Sequence, residues 1–587
     1  MIVLGYSGLN NAYEYRKKNL PGLSELEGSM FQGMDASAAI IENGKIIAAA
    51  EEERFNLKKH TCDFPINAIN FCLNKANIKI ENLDFICHGF DFDSFNHIYQ
   101  IDDFSRDLYT KVLSNERQIE LFKENYNMNH VREKFIPVRH HTAHAASTFY
   151  PSGFDESLII IADGMGEIDS ISIYAGQGNQ IYSLHHSNLL SSLGIFYSII
   201  TGHLGFEINS GEYKTMGLAP YGNPKRFSSF FDKCITYKDG DIIIPVFSMN
   251  KTFLEKQTYR ALREWISNEV FEARKPEDEI KQVHMDLAAG LQATLNKTML
   301  NLAAYWQEKT QLKKLCLAGG VALNCVMNSI LLKSSMFEMI YVPPAAGDSG
   351  TAIGAALYKY CSFEGKYYSD KHKLPFYGPS FTDMEVLKLL KKFKESISFC
   401  ELDMDKLTKK AAQLIYDGDI IAWFQGEMEF GPRALGNRSI LADPRRTDMK
   451  ERINKVVKKR EAFRPFAPAV KIEKASVYFD LGNNLELPHM LFTVKVKNKY
   501  RKLLPSVTHE DGSARLQTVN MKDHLLFWNL IDEFEKLSNI PVLLNTSFNV
   551  KGQPIVCYPL DALNTLLNTD IDALFIGKYY VKKLPIS

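Results

Sequence analysis

Three histidines stand close together in residues 139–147, which read RHHTAHAAS, in a chain of 587 residues that holds only 15 histidines. His140 and His144 are four residues apart, so on a helix both imidazoles lie on one face, one turn apart. That spacing suits two ligands of one metal ion. The alternative is a pair of solvated or hydrogen-bonded core histidines. His141 would point elsewhere on the same helix, and we interpret it as structural.

Two aspartates offer oxygen ligands for the same ion. Asp163 follows the apolar run in SLIIIADGMGE, where a carboxylate at the end of a buried strand commonly faces a site. Asp348 lies in the Gly-rich loop PAAGDSG, ahead of a small-residue helix. A set of two histidines and two aspartates suits Fe or Mn and is possible for Zn. Both aspartates could instead be turn formers or helix N-caps.

A second group of residues is strongly cationic. Between residues 433 and 464 the chain carries seven Arg and four Lys against two Asp and two Glu, a local charge of +7. The arginines are interleaved with FGPRALGNRS and AFRPFAPA, and arginines in such apolar, Gly- and Pro-bearing sequence are expected to grip a small phosphate or carboxyl group. A nucleic-acid patch is the alternative, and a surface salt bridge is the ordinary role of any single arginine.

Further donors lie beyond this segment. DGSARLQTV contributes Arg515, and LLNTSFN places Asn545, Thr546 and Ser547 after a buried strand. Such small polar side chains suit an anion or a carbonyl group.

Composition limits the partners of the whole chain. The 69 basic and 69 acidic residues cancel, so no overall field draws the chain to nucleic acid or a membrane. The nine cysteines form no CxxC pair and are odd in number, which argues against a disulfide framework or a thiolate zinc site. Neither the N-terminus nor the apolar run at 158–162 is long enough for a signal peptide or a membrane span. We expect a cytoplasmic protein.

The elements that must position these residues alternate in type. Strands are predicted at 2–5, on both sides of the turn Asn43-Gly44, at 157–162 and at the start of 314–324, and helices over 283–308, after the Gly-rich loop of 343–360 and from 383. The alternation predicts an α/β fold. Residues 362–380 show no clear period, so we place a domain boundary there and divide the chain into 1–365 and 366–587.

Taken together the motifs resemble the O-carbamoyltransferase family that includes nodulation and antibiotic-tailoring enzymes. The resemblance runs over almost the whole chain. It rests on these stretches, in this order: DASAAIIENGKIIAAAEEERFNLKKH, HHTAHAAS, ADGMGE, GEYKTMGLAPYG, AGGVALNCVMN, PPAAGDSG, FGPRALGNRS, REAFRPFAP and LNTSFNVKGQPIV.

The resemblance implies a two-step enzyme with two sites. A YrdC-like α/β domain at 366–587 would join carbamoyl phosphate to ATP, giving carbamoyl-adenylate and pyrophosphate. A Kae1-like domain of the actin/sugar-kinase/Hsp70 fold at 1–365 would pass the carbamoyl group to a hydroxyl of a small-molecule, natural-product acceptor. Fe²⁺, or another divalent ion, would be the metal of this domain, and Mg²⁺ would accompany ATP.

The resemblance also assigns residues. The metal ligands would be His140, His144, Asp163 and Asp348. Carbamoyl phosphate and ATP phosphates would be bound by Arg433, Lys458, Arg460, Arg464, Arg515, Asn545 and Ser547, with Arg433, Lys458 and Arg515 catalytic. The adenylate pocket of the first domain would be lined by Lys59, Lys214, Gly319, Gly320 and Asn324.

One departure from the family pattern concerns a proton acceptor. The pattern HDAS carries a histidine that would serve as general base, whereas this chain reads GMDAS with Met34 at that position. Methionine accepts no proton at neutral pH. Asp35, residues 51–53 and the additional residues at 11–31 are the alternatives, unranked by sequence. We expect residues 11–31 to influence the choice of acceptor.

Three other functions are weaker fits. A Kae1-like tRNA-modification protein would usually lack the fused second domain, and neither a sugar kinase nor an Hsp70-like ATPase explains the spaced histidines with ADGMGE. An acceptor-binding homologue with altered or lost catalysis gains weight from Met34. The sequence names no acceptor, and it leaves a homodimer open.

Overall fold

The computed structural model describes residues 1–128, 130–364, 374–458, 461, 463–482 and 486–585. They form two compact units. The first contains residues 1–53 and 60–364, and the second contains residues 54–59 and the described residues from 374 onward. The boundary predicted between residues 365 and 366 lies outside the described residues. In the part of the chain described, no helix is long and apolar enough to cross a membrane.

Twelve strands precede residue 365 in the described chain. They are β1 (Ile2–Ser7), β2 (Ser37–Glu42), β3 (Lys45–Glu51), β4 (Phe85–His88), β5 (Phe135–Pro137), β6 (Glu156–Ala162), β7 (Asp169–Gln177), β8 (Gln180–Asn188), β9 (Thr236–Lys238), β10 (Asp241–Ile243), β11 (Lys314–Ala318) and β12 (Met339–Tyr341). β9 and β10 form a separate hairpin.

The other ten strands form two sheets with the same design. The first has the order β3-β2-β1-β4-β5, and the second has the order β8-β7-β6-β11-β12. In each sheet the first three strands in chain order pair antiparallel, and the last two join parallel to the first. Two such halves in one unit are the arrangement of the actin/sugar-kinase/Hsp70 fold. The predicted fold class is therefore confirmed for the first unit.

Sixteen α-helices begin before residue 365. They are α1 (Ala12–Asn19), α2 (Glu25–Gly28), α3 (Glu53–Asn56), α4 (Ile66–Ala76), α5 (Asp103–Leu108), α6 (Asn115–Tyr126), α7 (Val131–Lys134), α8 (His140–Ser152), α9 (Leu193–His203), α10 (Glu212–Leu218), α11 (Ser228–Cys234), α12 (Phe253–Thr258), α13 (Arg260–Glu269), α14 (Gln282–Thr310), α15 (Cys325–Lys333) and α16 (Gly350–Glu364). The strands and helices predicted from sequence for this region are confirmed.

The predicted hairpin shows how local sequence sets the first sheet. Asn43 and Gly44 join β2 to β3 with positive φ angles of 50° and 77°. Both central residues of a type I′ turn need positive φ, and Asn-Gly meets this requirement at the lowest steric cost. β2 and β3 then follow the twist of β1, on the sheet edge next to Asp35.

The second unit is a mixed α/β structure. Its strands are β13 (Ile397–Glu401), β14 (Ile421–Phe424), β15 (Arg438–Ala442), β16 (Ala467–Lys471), β17 (Phe479–Asp480), β18 (Thr493–Val496), β19 (Ser513–Arg515), β20 (Gln517–Val519), β21 (Val542–Ser547), β22 (Ala573–Ile576) and β23 (Tyr579–Lys583). Its helices are α17 (Asp383–Lys392), α18 (Met404–Asp417), α19 (Met449–Ile453), α20 (Ile472–Tyr478), α21 (Asn498–Arg501), α22 (Leu525–Ser538) and α23 (Pro559–Leu567).

Eight strands form the main sheet of this unit, in the order β13-β23-β22-β14-β15-β21-β16-β20, and β17-β18-β19 form a small second sheet. Helices α18 and α22 cover one face of the main sheet. The core between them includes Ile415, Trp423, Phe527, Ile531 and Phe575, all fully buried. This packing fixes β14, β15 and β21, whose neighbouring ends carry the predicted anion-binding residues.

Candidate functional site

Four candidate metal ligands meet in the first unit. Helix α8 supplies His140 and His144, the end of β6 supplies Asp163, and the loop before α16 supplies Asp348. The two Nε2 atoms are 3.1 Å apart. His140 Nε2 lies 3.4 Å from Asp163 Oδ2 and 3.6 Å from Asp348 Oδ1. His144 Nε2 lies 3.8 and 3.7 Å from the same two oxygens.

These separations fit one small cation. With metal–ligand distances of about 2.1 Å, adjacent ligands are separated by about 3.0 Å in an octahedron and about 3.4 Å in a tetrahedron. The observed distances of 3.1–3.8 Å lie in and just above that range. The nitrogen and oxygen donors suit first-row transition metals. The residue types and the geometry therefore fit a single divalent ion.

His140 is oriented for this role before any ligand binds. Its Nδ1–H donates to the carbonyl oxygen of Gly89 at 3.0 Å, so the lone pair of a neutral ring is on Nε2, facing the cluster. The ring also stacks on Phe90, with centroids 4.2 Å apart and planes inclined by 11°. Both His140 and His144 are fully buried. The ring of His140 is thus held in one tautomer and one orientation.

Close packing of two helices brings Asp348 to the histidines. A Cβ atom at Gly354 of α16 would lie only 1.8 Å from the carbonyl oxygen of Ala143 on α8. Any larger residue there would force the helices apart. Because His144 follows Ala143 and Asp348 lies two residues before the first residue of α16, this glycine contact sets the separation of the two candidate ligands.

Asp163 is anchored by a glycine turn. Gly320 N–H donates to Asp163 Oδ1 at 2.8 Å. Gly319 has a φ of +89°, and a Cβ there would lie 2.3 Å from the carbonyl oxygen of Ala162. Asn324 ends the same turn and caps α15 by accepting from Met327 N–H at 3.0 Å. Gly319, Gly320 and Asn324, predicted to line the adenylate pocket, therefore lie beside the metal ligands.

Charge interactions within the cluster shift the pKa of Asp163 and the pKa of His140 in opposite directions. Burial alone would raise the pKa of Asp163, but its hydrogen bond with His140 and the charges of both histidines hold that pKa well below its usual range. Burial would lower the pKa of His140, yet Asp348 and Asp163 together raise it well above the usual value. Two carboxylates thus favour positive charge in the cluster, which a divalent ion would supply by displacing protons.

Two neighbouring residues complete this region. His141 faces away, with Nδ1 2.7 Å from Ser172 Oγ, and burial lowers its pKa to about 3. Glu167 was not singled out by sequence reasoning, although it ends the motif ADGMGE. Its Oε1 accepts from the N–H of Asp91 at 2.7 Å and of His140 at 2.8 Å. Glu167 therefore fixes the first turn of α8.

The two lysines predicted to line the adenylate pocket lie elsewhere on the chain. Lys59 is exposed and belongs to residues 54–59, which group with the second unit. Lys214 lies on α10 in the first unit, with Nζ 5.7 Å from the centre of the Phe206 ring. The roles of both lysines stay predictions.

In the second unit, the loop that carries Arg433 is clamped at both ends. Glu429 Oε1 accepts backbone hydrogen bonds from Leu435, Asn437 and Arg438 at 2.8–3.1 Å. Arg438 is wholly buried, with its guanidinium 3.7 Å from the centre of the Phe424 ring. That guanidinium donates to the carbonyl oxygens of Gln425, Gly426, Asn437 and Pro379. The loop thus has a rigid internal frame.

An amide network places Asn545 beside this loop. Gln517 Nε2 donates to the carbonyl oxygen of Leu435 at 2.7 Å, so its Oε1 faces Asn545 and accepts from Asn545 Nδ2 at 2.8 Å. Asn545 Nδ2 also lies 3.4 Å from the carbonyl oxygen of Ala434. Arg515, two residues before Gln517, ends β19. The structure therefore gathers the Arg433 loop, Asn545 and the strand end of Arg515.

Several polar atoms of this region are buried and have no hydrogen-bond partner among the described residues. They include Asn545 Oδ1, an acceptor, and Arg515 Nε, a donor. Buried polar groups normally have a partner. Ser547, two residues along β21 from Asn545, donates to Asn549 Oδ1 at 2.5 Å.

The other predicted residues of this site are less closely defined. Arg464 pairs with Glu461 at 3.6 Å. Lys458 ends the turn of Asn454–Lys458, and its side chain, like the whole of Arg460, lies outside the described residues.

Four of the seven arginines in residues 433–464 make structural contacts of their own. Besides Arg438, three arginines of the segment have partners of their own. Arg445 binds Asp443, Arg446 binds Asp448, and Arg452 donates to the carbonyl oxygen of Gly418. The dense cationic segment of the sequence is thus mainly a set of separate structural contacts.

Comparison with known proteins places the chain. The family model described as "Carbamoyltransferase N-terminus" matches residues 30–357, more than half of the chain. The chain belongs to the carbamoyltransferase family. The model described as "Carbamoyltransferase C-terminus" matches residues 412–583. The protein is accordingly a transferase enzyme, as predicted.

Two relatives extend this result. The chain is 35% identical to nodulation protein NolNO of Sinorhizobium fredii, over 99% of this chain and 83% of that protein. It is 39% identical to nodulation protein NolO of Bradyrhizobium diazoefficiens, over 77% of this chain and 80% of that protein.

Among solved structures, component A of (R)-2-hydroxyglutaryl-CoA dehydratase from Acidaminococcus fermentans matches with a TM-score of 0.30 and 14% identity, covering 62% of this chain and 99% of that one. That similarity is low, and the fold assignment rests on the strand order of the two sheets.

Proposed function

We propose that this carbamoyltransferase works in two steps at two sites. In the second unit, carbamoyl phosphate and ATP would give carbamoyl-adenylate and pyrophosphate. In the first unit, the carbamoyl group would pass to a hydroxyl of a small-molecule acceptor, with release of AMP. One observation carries the second step: the ligand atoms of His140, His144, Asp163 and Asp348 all lie within 4.8 Å of one another, beside the Gly319-Gly320 turn.

The residues of the first unit would hold Fe²⁺ or another divalent ion. A bound ion of this kind supplies Lewis-acid stabilisation of phosphate oxygens. The glycine turn brings backbone N–H groups next to the same place, and such groups approach phosphate closely. The chain would thereby orient the adenylate with its carbamoyl carbon open to the acceptor. Burial of the histidines limits water, which protects a reactive mixed anhydride from hydrolysis.

In the second unit, Arg433, Arg515 and Lys458 would offset the repulsion between carbamoyl phosphate and the Mg²⁺-bound polyphosphate of ATP. Arginine binds phosphate through two parallel N–H groups, and positive charge near a transferring group stabilises its transition state. Arg460, Arg464 and Ser547 would add donors. With these roles the second unit would resemble a YrdC domain.

The carbamoyl end of the substrate needs a different partner. Its NH₂ group is a donor, whereas arginines and lysines offer only donors. Asn545 Oδ1 is a buried acceptor whose orientation is set by Gln517. We assign Asn545 to the carbamoyl NH₂. A phosphate oxygen is itself an acceptor and would face the acceptor Oδ1 of Asn545 without a hydrogen bond.

The additional residues 11–31 would shape the acceptor site. Arg16 binds Gln257, and the buried carboxylate of Glu27 pairs with Arg260 and Arg263. These ties attach α1 and α2 to α12 and α13. Just after them, Gln32 Nε2 donates to the carbonyl oxygen of Gly166 at 2.6 Å, in the loop after Asp163. Directly after this segment, the chain is thus hydrogen-bonded to the loop that follows the proposed metal ligand Asp163.

The first experiment tests the reaction itself. The full chain, loaded with Fe²⁺, is incubated with ATP, Mg²⁺ and carbamoyl phosphate, and pyrophosphate is measured. We expect pyrophosphate release that depends on carbamoyl phosphate. Its absence under all conditions would contradict the proposal.

A second experiment tests the acceptor. An aminoglycoside, a macrolide and a lipo-oligosaccharide are added to the same mixture, and carbamoylated product is sought by mass spectrometry. Exchanging residues 11–31 for those of a relative should change which acceptor is modified. An unchanged acceptor range would remove the role assigned to this segment.

A further inference from the structure

A paired histidine and aspartate lie at the sheet edge of the first unit, outside the metal cluster. His60 Nδ1 and Asp35 Oδ1 are 2.8 Å apart, and a carboxylate oxygen can only accept, so Nδ1 carries the proton. Both residues adopt left-handed backbone conformations, with φ of 55° for Asp35 and 56° for His60. Left-handed non-glycine residues carry a steric cost and concentrate at functional sites.

This pair is connected to the metal cluster through buried serines. Asp35 precedes β2 by two residues, and Ser37 at the start of β2 donates through Oγ to the carbonyl oxygen of Ser349 at 2.8 Å. Ser349 directly follows Asp348. Two residues span at most about 7 Å. The start of β2, two residues after Asp35, therefore contacts the residue that follows the predicted ligand Asp348.

The pair also differs from the cluster in exposure. The side chain of Asp35 is 37% exposed and that of His60 is 29%, whereas His140 and His144 have no exposure. A group that takes a proton from a bound acceptor must be reachable and must return that proton to solvent. Asp35 satisfies both requirements, and the two fully buried histidines satisfy neither.

The neighbouring carboxylates are buried, and two of them accept hydrogen bonds that hold the local structure. Glu51, Glu52 and Glu53 are all buried. Glu52 accepts from Asn67 Nδ2 and from Ala68 N–H at the start of α4, and Glu53 Oε2 accepts from the N–H of His60. Glu53 thus positions His60. Of the acidic candidates at 35 and 51–53, Asp35 is the one with a partly exposed side chain.

We propose that Asp35 is the proton acceptor of the transfer step and that His60 positions it. The inference rests on the proposed function. The acceptor oxygen attacks the carbamoyl carbon of carbamoyl-adenylate, and the bond from that carbon to the AMP phosphate oxygen breaks, its electron pair leaving with AMP. The hydroxyl proton moves to the Asp35 carboxylate and then to solvent. This places the base one residue after Met34, whose side chain accepts no proton.

The test uses two nucleophiles with different needs. Glycerol is an alcohol that must lose its proton as it attacks, whereas hydroxylamine is a strong neutral nucleophile. Wild-type, Asp35→Asn, His60→Gln and the surface control Asp84→Asn are loaded with Fe²⁺ and given ATP, Mg²⁺ and carbamoyl phosphate. Pyrophosphate, AMP and bound metal are measured with each nucleophile. General-base catalysis contributes on the order of 10²–10⁴-fold.

We expect Asp35→Asn to lose at least about 100-fold of the AMP release driven by glycerol and water, and to keep hydroxylamine-driven release within about twofold. His60→Gln should show the same selectivity with a smaller loss, and Asp84→Asn should match wild-type. An equal loss with both nucleophiles, a loss below twofold with glycerol, or a loss of metal from Asp35→Asn would overturn the assignment. Absence of pyrophosphate from wild-type would instead contradict the proposed function.

Discussion

The two candidate sites differ in how their charged groups are held. In the first unit, the four candidate metal ligands lie close together and are fixed by helix packing, a glycine turn and a carbonyl contact. In the second unit, the side chains predicted to bind anions lie on loop and strand ends, and rigidity comes from Glu429, Arg438 and Gln517. We therefore expect the first site to depend on its ligands directly, and the second to depend also on residues that bind no substrate.

The largest expected effect comes from a variant that should stop the transfer step and leave adenylate formation intact. His144→Ala removes one of the four proposed ligands and leaves His140 and Asp163, both buried, together with the partly exposed Asp348. We expect metal content near zero and transfer reduced at least about 1,000-fold, while pyrophosphate release stays within about threefold. Metal analysis and the two product assays on one preparation check this. Loss of pyrophosphate release as well would show that the sites are not separate.

Arg433→Ala should give the reverse pattern. Loss of a positive group at a transferring phosphate costs about 10²–10³-fold in rate. We expect pyrophosphate release to fall by that amount, with metal content unchanged. Arg446→Ala, which removes an arginine that pairs with Asp448, serves as the matched control. Equal losses in both variants would mean that general charge, rather than position, matters in this segment.

The frame of the second site is tested by stability. Arg438→Met removes the side-chain donor of four carbonyl oxygens. Those of Asn437 and Pro379 keep backbone donors, whereas those of Gln425 and Gly426 lose their donor among the described residues. Because each unsatisfied buried group costs about 1–3 kcal/mol, we expect the free energy of unfolding to fall by at least about 2 kcal/mol, measured by urea denaturation. Arg446→Met should change it by less than about 0.5 kcal/mol. A similar small change in both variants would remove Arg438 from the frame.

Acid should destabilise the first unit through a residue that binds no ligand in our assignment. Burial lowers the pKa of His141 from 6.5 to about 3, so folding excludes its proton. Its contribution is fully present above pH 6.5 and is lost as the pH falls toward 3, by about 1.4 kcal/mol per pH unit.

His141→Gln should therefore lose less stability than wild-type between pH 6.5 and 4. Urea unfolding at several pH values measures the two slopes. Identical slopes would show that His141 gains its proton without unfolding.

Sequence reasoning succeeded where chemistry and local spacing coincide. The i,i+4 spacing of His140 and His144 and the Asn43-Gly44 turn are local signals, and the structure places them as predicted. The meeting of His144 with Asp348 depends on the glycine contact between α8 and α16, which spacing does not reveal. The structure brings the four residues together, and their role as ligands remains our proposal.

The second site was harder to read from sequence. A count of charges cannot separate Arg433 from Arg438, although one lies in a loop and the other is fully buried. The assignment of residues 54–59 to the second unit also has no local signal, because it depends on long-range contacts. Likewise, the pairing of Asp35 with His60 joins positions 25 residues apart that no spacing rule connects.

The attachment of α1 and α2 has a consequence for engineering. Side-chain ties from Arg16 and Glu27 to α12 and α13 hold this segment, while both sheets close without it. Ala12 and Tyr15 of α1 also pack in a hydrophobic cluster with Phe90, whose ring stacks on His140, so α1 belongs to the core beside the predicted metal ligands. On the role proposed for residues 11–31, libraries aimed at other acceptors should therefore keep Ala12, Tyr15 and Glu27 and vary the exposed positions of α1 and α2.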